Sequence, residues 1–130
     1  MIENQEMKAA GLLLFVGSIN IDGYKIENIY GFSDIVSFEE GKGYGKRLIE
    51  EIKNYCYLNN LIALAWCNKR NRKFYQNCGL TVIEDLVKFF EYHGEKDVGD
   101  DDVLLISKDE EIIARFKNIH STVNLPIAHW

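Results

Sequence analysis

The stretch Glu40-Gly41-Lys42-Gly43-Tyr44-Gly45-Lys46 places three glycines at alternate positions, directly before an amphipathic segment. The apolar spacing of that segment predicts a helix over residues 46–58. A glycine-rich turn before a helix exposes successive backbone N–H groups at the positive end of the helix dipole. Because such a turn binds phosphate oxygens, the stretch predicts a site for a phosphorylated small molecule. The alternative is a structural turn without a ligand, for which glycine is also suited.

The composition is that of one ordinary domain, residues 1–130, with 47% hydrophobic residues to supply a core. The net charge of −5 argues against nucleic acid as a partner, because phosphate neutralisation needs a basic face. No apolar run approaches the roughly 20 residues of a membrane-spanning helix. The first eight residues are polar and lack a signal-peptide core. We therefore expect a cytoplasmic protein that binds neither nucleic acid nor membrane.

Neither the cysteines nor the histidines are spaced for a disulfide framework or a metal site. Cys56, Cys67 and Cys78 leave one thiol unpaired in any disulfide scheme, which favours reduced thiols of the cytosol. The histidines lie too far apart in sequence for metal-ligand spacing, and we expect no metal. They are His93, His120 and His129.

The order of predicted elements indicates a mixed sheet. Strands are expected over residues 11–19, 24–32, 61–67 and 103–107, with a β-rich stretch over 82–92, and helices over 46–58, 69–77 and 109–119. Asp22-Gly23 is a hairpin turn signal, and residues 33–37 either continue the second strand or start another. Asn68 and Asp109 are candidate helix caps. The predicted fold class is α/β (α+β), a mixed and largely antiparallel central sheet with one β-α-β crossover.

Two familiar phosphate-binding motifs fail against the glycine stretch. A nucleotide P-loop needs Ser or Thr after Gly-Lys, and Arg47 stands there; its first glycine is replaced by Glu40. The dinucleotide fingerprint needs unequal glycine spacing, whereas Gly41, Gly43 and Gly45 are evenly spaced.

Two linked motifs resemble those of the GNAT N-acetyltransferase superfamily. The stretch from Glu40 to Gly45 is similar to its acetyl-CoA loop, Q/R-x-x-G-x-G/A, at both glycine positions. The family often carries N-x-x-A-x-x-F-Y-x-x-x-G-F further on, and residues 68–80 match it at Asn68, Phe74, Tyr75 and Gly79. The resemblance covers residues 11–107, and residues 108–130 form a C-terminal extension with an extra helix.

The resemblance implies that the chain binds acetyl-CoA (CoA). The backbone of the glycine stretch would hold the pyrophosphate, and the main chain of the preceding strand would pair with the pantetheine arm, beside a cleft that this strand opens by splaying from the next. Asn68 would contact the cofactor, and Phe74 would pack near it. The implied cofactor-binding residues are Asp34, Ile35, Val36, Gly41, Lys42, Gly43, Tyr44, Gly45, Lys46, Asn68 and Phe74.

Tyr75 resembles the general acid of the family, which protonates the departing thiolate. A phenol suits that role because its pKa is close to that of a thiol. The alternatives are that Tyr75 only packs against the sheet and that Asn68 is only a helix cap. The position where some members carry a catalytic Glu is Ala63, so the general base stays open between Glu27, Asp34 and a water chain.

Three further features depart from the family pattern or hint at a partner. Glu40 replaces the usual Gln or Arg, and a carboxylate near pyrophosphate is unfavourable. The chain before the loop is shorter than the family usually has, so the C-terminal helix or a second subunit is expected to rebuild the acceptor wall; an incomplete sheet edge favours a homodimer. The acidic cluster is read as a solvated loop, or alternatively as a lip for a cationic acceptor. Its members are Glu95, Asp97, Asp100, Asp101 and Asp102.

The leading functional hypothesis is an acetyl-CoA-dependent N-acetyltransferase that acts on a primary amine of a small molecule or peptide by direct attack. The alternatives are a non-catalytic CoA-binding or regulatory module, and a subunit that needs a partner to complete its site. Turnover of acetyl-CoA separates the first hypothesis from the other two.

Overall fold

The computed structural model describes residues 1–96, 99 and 101–127. Asp97, Asp100 and His129, which the sequence analysis named, lie outside the described residues. The strands are β1 (Ile2–Glu3), β2 (Glu6–Met7), β3 (Ala9–Ile21), β4 (Tyr24–Ser37), β5 (Ile62–Cys67), β6 (Thr81–Ile83), β7 (Phe90–Tyr92), β8 (Glu95–Lys96), β9 (Asp102–Ile106) and β10 (Val123–Asn124). The helices are α1 (Tyr44–Leu58), α2 (Arg72–Asn77) and α3 (Glu110–Lys117), with 3₁₀ turns at Lys69–Asn71 and Val87–Phe89.

The central sheet has the strand order β3-β4-β5-β9-β6. β4 and β5 pair in parallel through the crossover helix α1, and the other neighbours in this sheet are antiparallel. Two small sheets accompany it, the β1–β2 hairpin and the group β10-β7-β8. The predicted mixed, largely antiparallel α/β architecture with one β-α-β crossover is confirmed.

β3 and β4 form one long hairpin whose second strand is bent, not broken. Leu12 pairs with Ser33 and Ala10 pairs with Val36, so two residues of β4 stand opposite one residue of β3. This is a β-bulge, and Asp34 within it adopts a left-handed φ of 54°. Residues 24–37 are therefore a single strand that turns at the bulge.

β4 and β5 separate soon after they meet. They pair over residues 29–31 and 62–64. Beyond that point residues 65–67 continue to pair with β9, whereas residues 32–37 of β4 pair with β3. The bulge bends β4 away where its pairing with β5 stops. The splayed strands open a cleft at the end of the sheet that carries the glycine loop.

Each face of the sheet carries its own apolar core. The first core lies under α1 and α2 and includes Phe32, Ile49, Ala63, Leu104 and Ile106, each at most 1% exposed. The second lies on the opposite face, where α3 contributes Ile112 and Phe116. As predicted, Asp109 caps α3 by accepting a hydrogen bond from the N–H of Glu111 (2.9 Å). The C-terminal helix thus covers the sheet face that α1 leaves open.

The structure corrects several predicted element boundaries. Helix α1 begins at Tyr44 rather than Lys46, and the helix predicted from residue 69 begins as a 3₁₀ turn. The β1–β2 hairpin and the short strand β10 were not predicted, because two-residue strands leave no periodic pattern. Among the described residues, no helix has the length and apolar character that a membrane crossing requires.

The prediction of a solvated acidic loop is wrong for Asp102, which is fully buried. Its carboxylate accepts hydrogen bonds from Nε of Arg72 (2.7 Å) and from the second terminal guanidinium nitrogen of that residue (3.1 Å). The N–H of Asp85 donates a third bond (3.0 Å). Arg72 opens α2 and Asp102 opens β9, so this pair ties α2 to the sheet.

Candidate functional site

The glycine loop has the backbone conformation that only glycine adopts readily. Gly41 has a φ of 72° and Gly43 a φ of 75°, both left-handed. No heavy atom lies within 4 Å of a Cβ built at either position, so the space above the loop is open. Gly43 is the N-cap residue of α1, and its carbonyl oxygen accepts from the N–H of Arg47 (3.1 Å). The loop thus ends in a helix N-terminus facing open space.

The first turn of α1 presents backbone N–H groups that are suited to binding an anion. The leading N–H groups of a helix, here those of Tyr44, Gly45 and Lys46, have no acceptor within the helix. They lie at the positive end of the helix dipole, which favours a bound anion. The predicted helix began at Lys46, and the structure adds Tyr44 and Gly45 to its first turn.

The two sequence motifs lie next to each other in the fold. A Cβ built at Gly45 would lie 3.9 Å from Cζ of Phe74 and 3.9 Å from Cβ of Ser37. The glycine loop, α2 and the end of β4 therefore adjoin. Phe74 remains 42% exposed, which leaves a ring face available beside the loop.

Tyr75 lies behind Phe74, half-buried in the core under α1 and α2. The two rings make an edge-to-face contact with centroids 5.1 Å apart. Burial raises the pKa of the Tyr75 phenol, and the nearby Cys67 and Cys78 raise this pKa further. A phenol with a raised pKa keeps its proton at neutral pH, as a general acid must.

Asn68 follows β5 at the end of the splayed strand. It lies at the N-cap position of the 3₁₀ turn, but its side chain makes no capping hydrogen bond, so the reading of Asn68 as a side-chain cap is wrong. Its Oδ1 is buried and has no hydrogen-bond partner among the described residues. An unpaired buried acceptor costs about 1–3 kcal/mol. Its position beside the cleft makes a donor from a bound ligand a physically reasonable partner.

The three residues assigned to pantetheine lie in the part of β4 that no longer pairs with β5. Asp34 and Val36 are exposed. Ile35 packs towards the core under α1. A Cβ built at Gly11 would lie 2.6 Å from Cδ1 of Ile35 and 3.5 Å from Cδ2 of Leu48, a residue of α1. The strand edge along the cleft can therefore bind an amide-bearing chain as an added strand would.

Charges around the loop are mixed. Glu40, Lys42, Lys46 and Arg47 are all exposed. A solvated carboxylate about 4 Å from a phosphate charge would cost about 1 kcal/mol, which the neighbouring basic residues can offset.

Glu39, directly before the loop, accepts a hydrogen bond from Nζ of Lys8 (2.7 Å). That ion pair was not predicted, because residues 8 and 39 are distant in sequence.

The structure separates the candidates for the general base. Glu27 lies on β4 before the segment that pairs with β5, and the cleft opens after that segment, so Glu27 is at the wrong end of the strand. Ala63 is fully buried. Asp34 lies in the splayed part of β4 and is exposed, with a long contact from the hydroxyl of Ser33 (3.5 Å). Asp34 and water remain as candidates.

A second cavity of about 470 Å³ lies at the far end of the sheet, beside the β3–β4 turn. Asp22 on its wall accepts hydrogen bonds from the N–H groups of His120 (3.1 Å) and Ser121 (3.1 Å) and from the Ser121 hydroxyl (2.6 Å). These bonds fasten the segment after α3 to the hairpin turn. We interpret Asp22 as structural. In the described part of the chain, no group of three potential ligands gathers as a metal site.

Comparison with the solved structures finds a likeness in fold. No family model matches the chain, and no curated protein matches it. The fold is similar to that of a GNAT family N-acetyltransferase (YhbS) from Escherichia coli in complex with CoA, at 13% identity and a TM-score of 0.46. The match covers 88% of this chain and 59% of that chain. At this level of likeness, the interpretation of the site depends on the geometry of this chain alone.

Proposed function

We propose that this protein is an acetyl-CoA-dependent N-acetyltransferase. The observation that supports it best is the junction of three elements at one end of the sheet. The glycine loop with its helix N-terminus, the splayed edge of β4, and α2 with Phe74 and Tyr75 adjoin there, with Gly45 in contact range of Phe74. This combination offers a phosphate site, an amide-pairing edge and a proton donor in one place.

The residues present fit CoA. Open space above Gly41 and Gly43 accommodates the pyrophosphate, and the N–H groups of the first turn of α1 would donate to it. The edge of β4 over residues 34–36 would pair with the pantetheine amides, and Oδ1 of Asn68 would accept a hydrogen bond from one of them. When bound, acetyl-CoA supplies a thioester whose carbonyl carbon accepts the amine.

Tyr75 would act as the general acid of the transfer. Transfer would form a C–N bond to the amine and break the C–S bond of the thioester, and the phenol of Tyr75 would give its proton to the departing sulfur. Backbone N–H groups along the cleft edge would stabilise the developing oxyanion. The proton lost by the amine passes to water or to Asp34. No cysteine nucleophile is needed, because the transfer is direct.

The acceptor that we propose is a primary amine of a small molecule or of a peptide. We also propose a homodimer in which β3, the edge strand of the central sheet, meets a second copy. Residues 9–21 of that strand carry no charged side chain, so the edge lacks the lysines that commonly discourage pairing. A cytoplasmic location and the absence of nucleic-acid and membrane partners belong to the same proposal.

A non-catalytic CoA-binding module is the second candidate. The observation that favours it is the buried Ala63 where some family members carry a catalytic Glu, together with the remote position of Glu27. In this case the same residues would bind CoA, and Tyr75 would only pack beside it.

Release of free thiol from acetyl-CoA in the presence of primary amines distinguishes the two candidates. The assay would use a panel of polyamines, amino sugars and peptide N-termini, with CoA binding measured on the same sample. Amine-dependent thiol release supports the transferase. CoA binding without thiol release for any amine favours the non-catalytic module.

A further inference from the structure

Lys8, between β2 and β3, pairs with a residue directly before the glycine loop. Lys8 is only 9% exposed, which is unusual for this residue type unless it is paired. Its Nζ donates to Oε1 of Glu39 (2.7 Å) and to Oε2 of Glu6 (2.8 Å). The hydrogen bond to Glu39, followed by that to Glu6, holds the pKa of Lys8 above its usual value. Lys8 is therefore a fixed cation at the base of the loop.

Lys8 contacts the residues at both ends of the glycine loop. Glu39 immediately precedes residues 40–43, and Tyr44 immediately follows them. Nζ of Lys8 lies 5.6 Å from the centroid of the Tyr44 ring, within the range of a cation–π contact. One side chain thus spans the loop between its entry and its exit.

The backbone around Glu39 is held in the same place. The N–H of Phe38 donates to the carbonyl oxygen of Lys8 (3.0 Å), and the hydroxyl of Ser37 donates to the carbonyl oxygen of Glu39 (2.9 Å). The loop itself has little packing, since nothing lies within 4 Å of a Cβ at Gly41 or Gly43. A glycine-rich loop loses much conformational entropy when a ligand fixes it. Its order must therefore come from contacts at its two ends.

We propose that Lys8 is a positioning residue for the pyrophosphate loop, acting through its hydrogen bond to Glu39. This inference rests on the proposed binding of CoA. The ion pair holds the loop in the conformation that directs its N–H groups at the phosphates, so CoA does not have to order it. A preorganised site gains affinity by avoiding that cost. Loss of the Lys8–Glu39 pair should therefore weaken binding of the nucleotide part of CoA and leave binding of the acyl end unchanged.

The test compares Lys8→Met, Lys8→Arg, Glu39→Gln and Glu6→Gln by titration with CoA. We expect Lys8→Met and Glu39→Gln each to weaken CoA binding about tenfold, and their combination to be no worse than Lys8→Met alone. Glu6→Gln is the matched control, because Glu6 pairs with Lys8 but lies outside the loop. The CoA affinity of this variant should stay within about twofold of the wild type. Lys8→Arg should retain most of the affinity, because it keeps the charge and the donors.

The Glu39→Gln variant distinguishes a positioning effect on the loop from a direct effect of charge on the pyrophosphate. Removing a negative charge near a pyrophosphate would by itself raise affinity. A fall in the affinity of Glu39→Gln therefore reports a misplaced loop. An affinity equal to or above that of the wild type would overturn the positioning role.

A second readout uses acetyl-pantetheine, which lacks the nucleotide and the pyrophosphate. We expect Lys8→Met to raise KM for acetyl-CoA about tenfold with kcat nearly unchanged, and to leave kcat/KM for acetyl-pantetheine within about twofold. An equal loss of kcat/KM with both substrates would mean that the substitution destabilises the protein in general, and it would overturn the inference. A wild-type protein that does not bind CoA would instead overturn the proposed function, and the positioning role in CoA binding with it.

Discussion

Gly45 and Phe74 lie against each other although they belong to different helices, with 3.9 Å between Cζ of the ring and a Cβ built on the glycine. Gly45 is in the first turn of α1, and Phe74 is in α2. The contact joins the first turn of α1, the proposed phosphate site, to the helix that carries Tyr75. A ligand bound at the glycine loop would therefore lie close to the ring of Phe74.

Gly43→Glu should abolish CoA binding. The substitution forces a side chain into a left-handed backbone, at a cost of about 1–2 kcal/mol, and puts a carboxylate where the pyrophosphate would bind. Gly94→Glu is the matched control, because Gly94 also has a positive φ and open space but lies in the β7–β8 turn. Normal CoA affinity in a folded Gly43→Glu protein would remove the loop from the site.

Tyr75→Phe should lower kcat for acetyl transfer at least about tenfold and leave the Kd for acetyl-CoA nearly unchanged. The ring and its contact with Phe74 remain, so only the proton donor is lost. Tyr55→Phe, at an exposed position on α1, is the control for losing a hydroxyl elsewhere. An unchanged kcat for Tyr75→Phe would leave the general acid to another group.

The pH profile of kcat should not fall on its alkaline side below about pH 10, the usual pKa of a tyrosine. Burial raises the pKa of Tyr75, so the phenol stays protonated as pH rises through that value. The same shift predicts that Tyr75 lowers the stability of the fold above pH 10, where the unfolded chain ionises first. Rates measured between pH 7 and 10 check the first point, and an alkaline limb near pH 8 would contradict it.

Asp102→Asn should destabilise the protein by about 3 kcal/mol, because it removes the charge that pairs with Arg72 from a fully buried position. Glu84→Gln is the control, since Glu84 also pairs with Arg72 (2.8 Å) but is exposed; its cost should be below about 1 kcal/mol. Denaturant unfolding measures both changes. Equal costs would mean that the buried ion pair does not hold α2 to the sheet.

The three cysteines should react slowly with thiol reagents in the native protein. Each is at most 5% exposed, and burial raises the pKa of Cys56 and of Cys67 to about 11 and also raises that of Cys78. At pH 8 little reactive thiolate is present. Denaturation should release three fast-reacting thiols. Rapid labelling of any one of them in the native protein would contradict the core packing described above.

Much of the fold could be predicted because its signals are local. The turn at Asp22-Gly23, the cap at Asp109 and the apolar strand before Asn68 each depend on residues that are close in sequence. The glycine stretch predicted a helix N-terminus for the same reason, with an error of two residues in where α1 begins. The bend in β4 could not be predicted, because the bulge depends on the register against β3.

The contacts that position the site could not be predicted from the sequence. Asp102 was predicted to lie in a solvated acidic loop, because the sequence gives no sign of its pairing with Arg72 on another element. The Lys8–Glu39 pair joins the start of β3 to the entry of the glycine loop across 31 positions, and no sequence pattern marks it. The lack of a hydrogen-bond partner for Oδ1 of Asn68 depends on the residues that surround it in the fold, and the sequence does not show these neighbours. These are long-range contacts, and composition and spacing carry no information about them.

Calorimetric titration of the wild-type protein with acetyl-CoA, beside CoA and ATP, tests the central claim most directly. We predict micromolar binding of acetyl-CoA and of CoA, and no binding of ATP at the same concentrations, because we propose that the cleft edge and Asn68 recognise pantetheine. No binding of either CoA species at millimolar concentration would contradict the claim. It would mean that the glycine loop is only a structural turn.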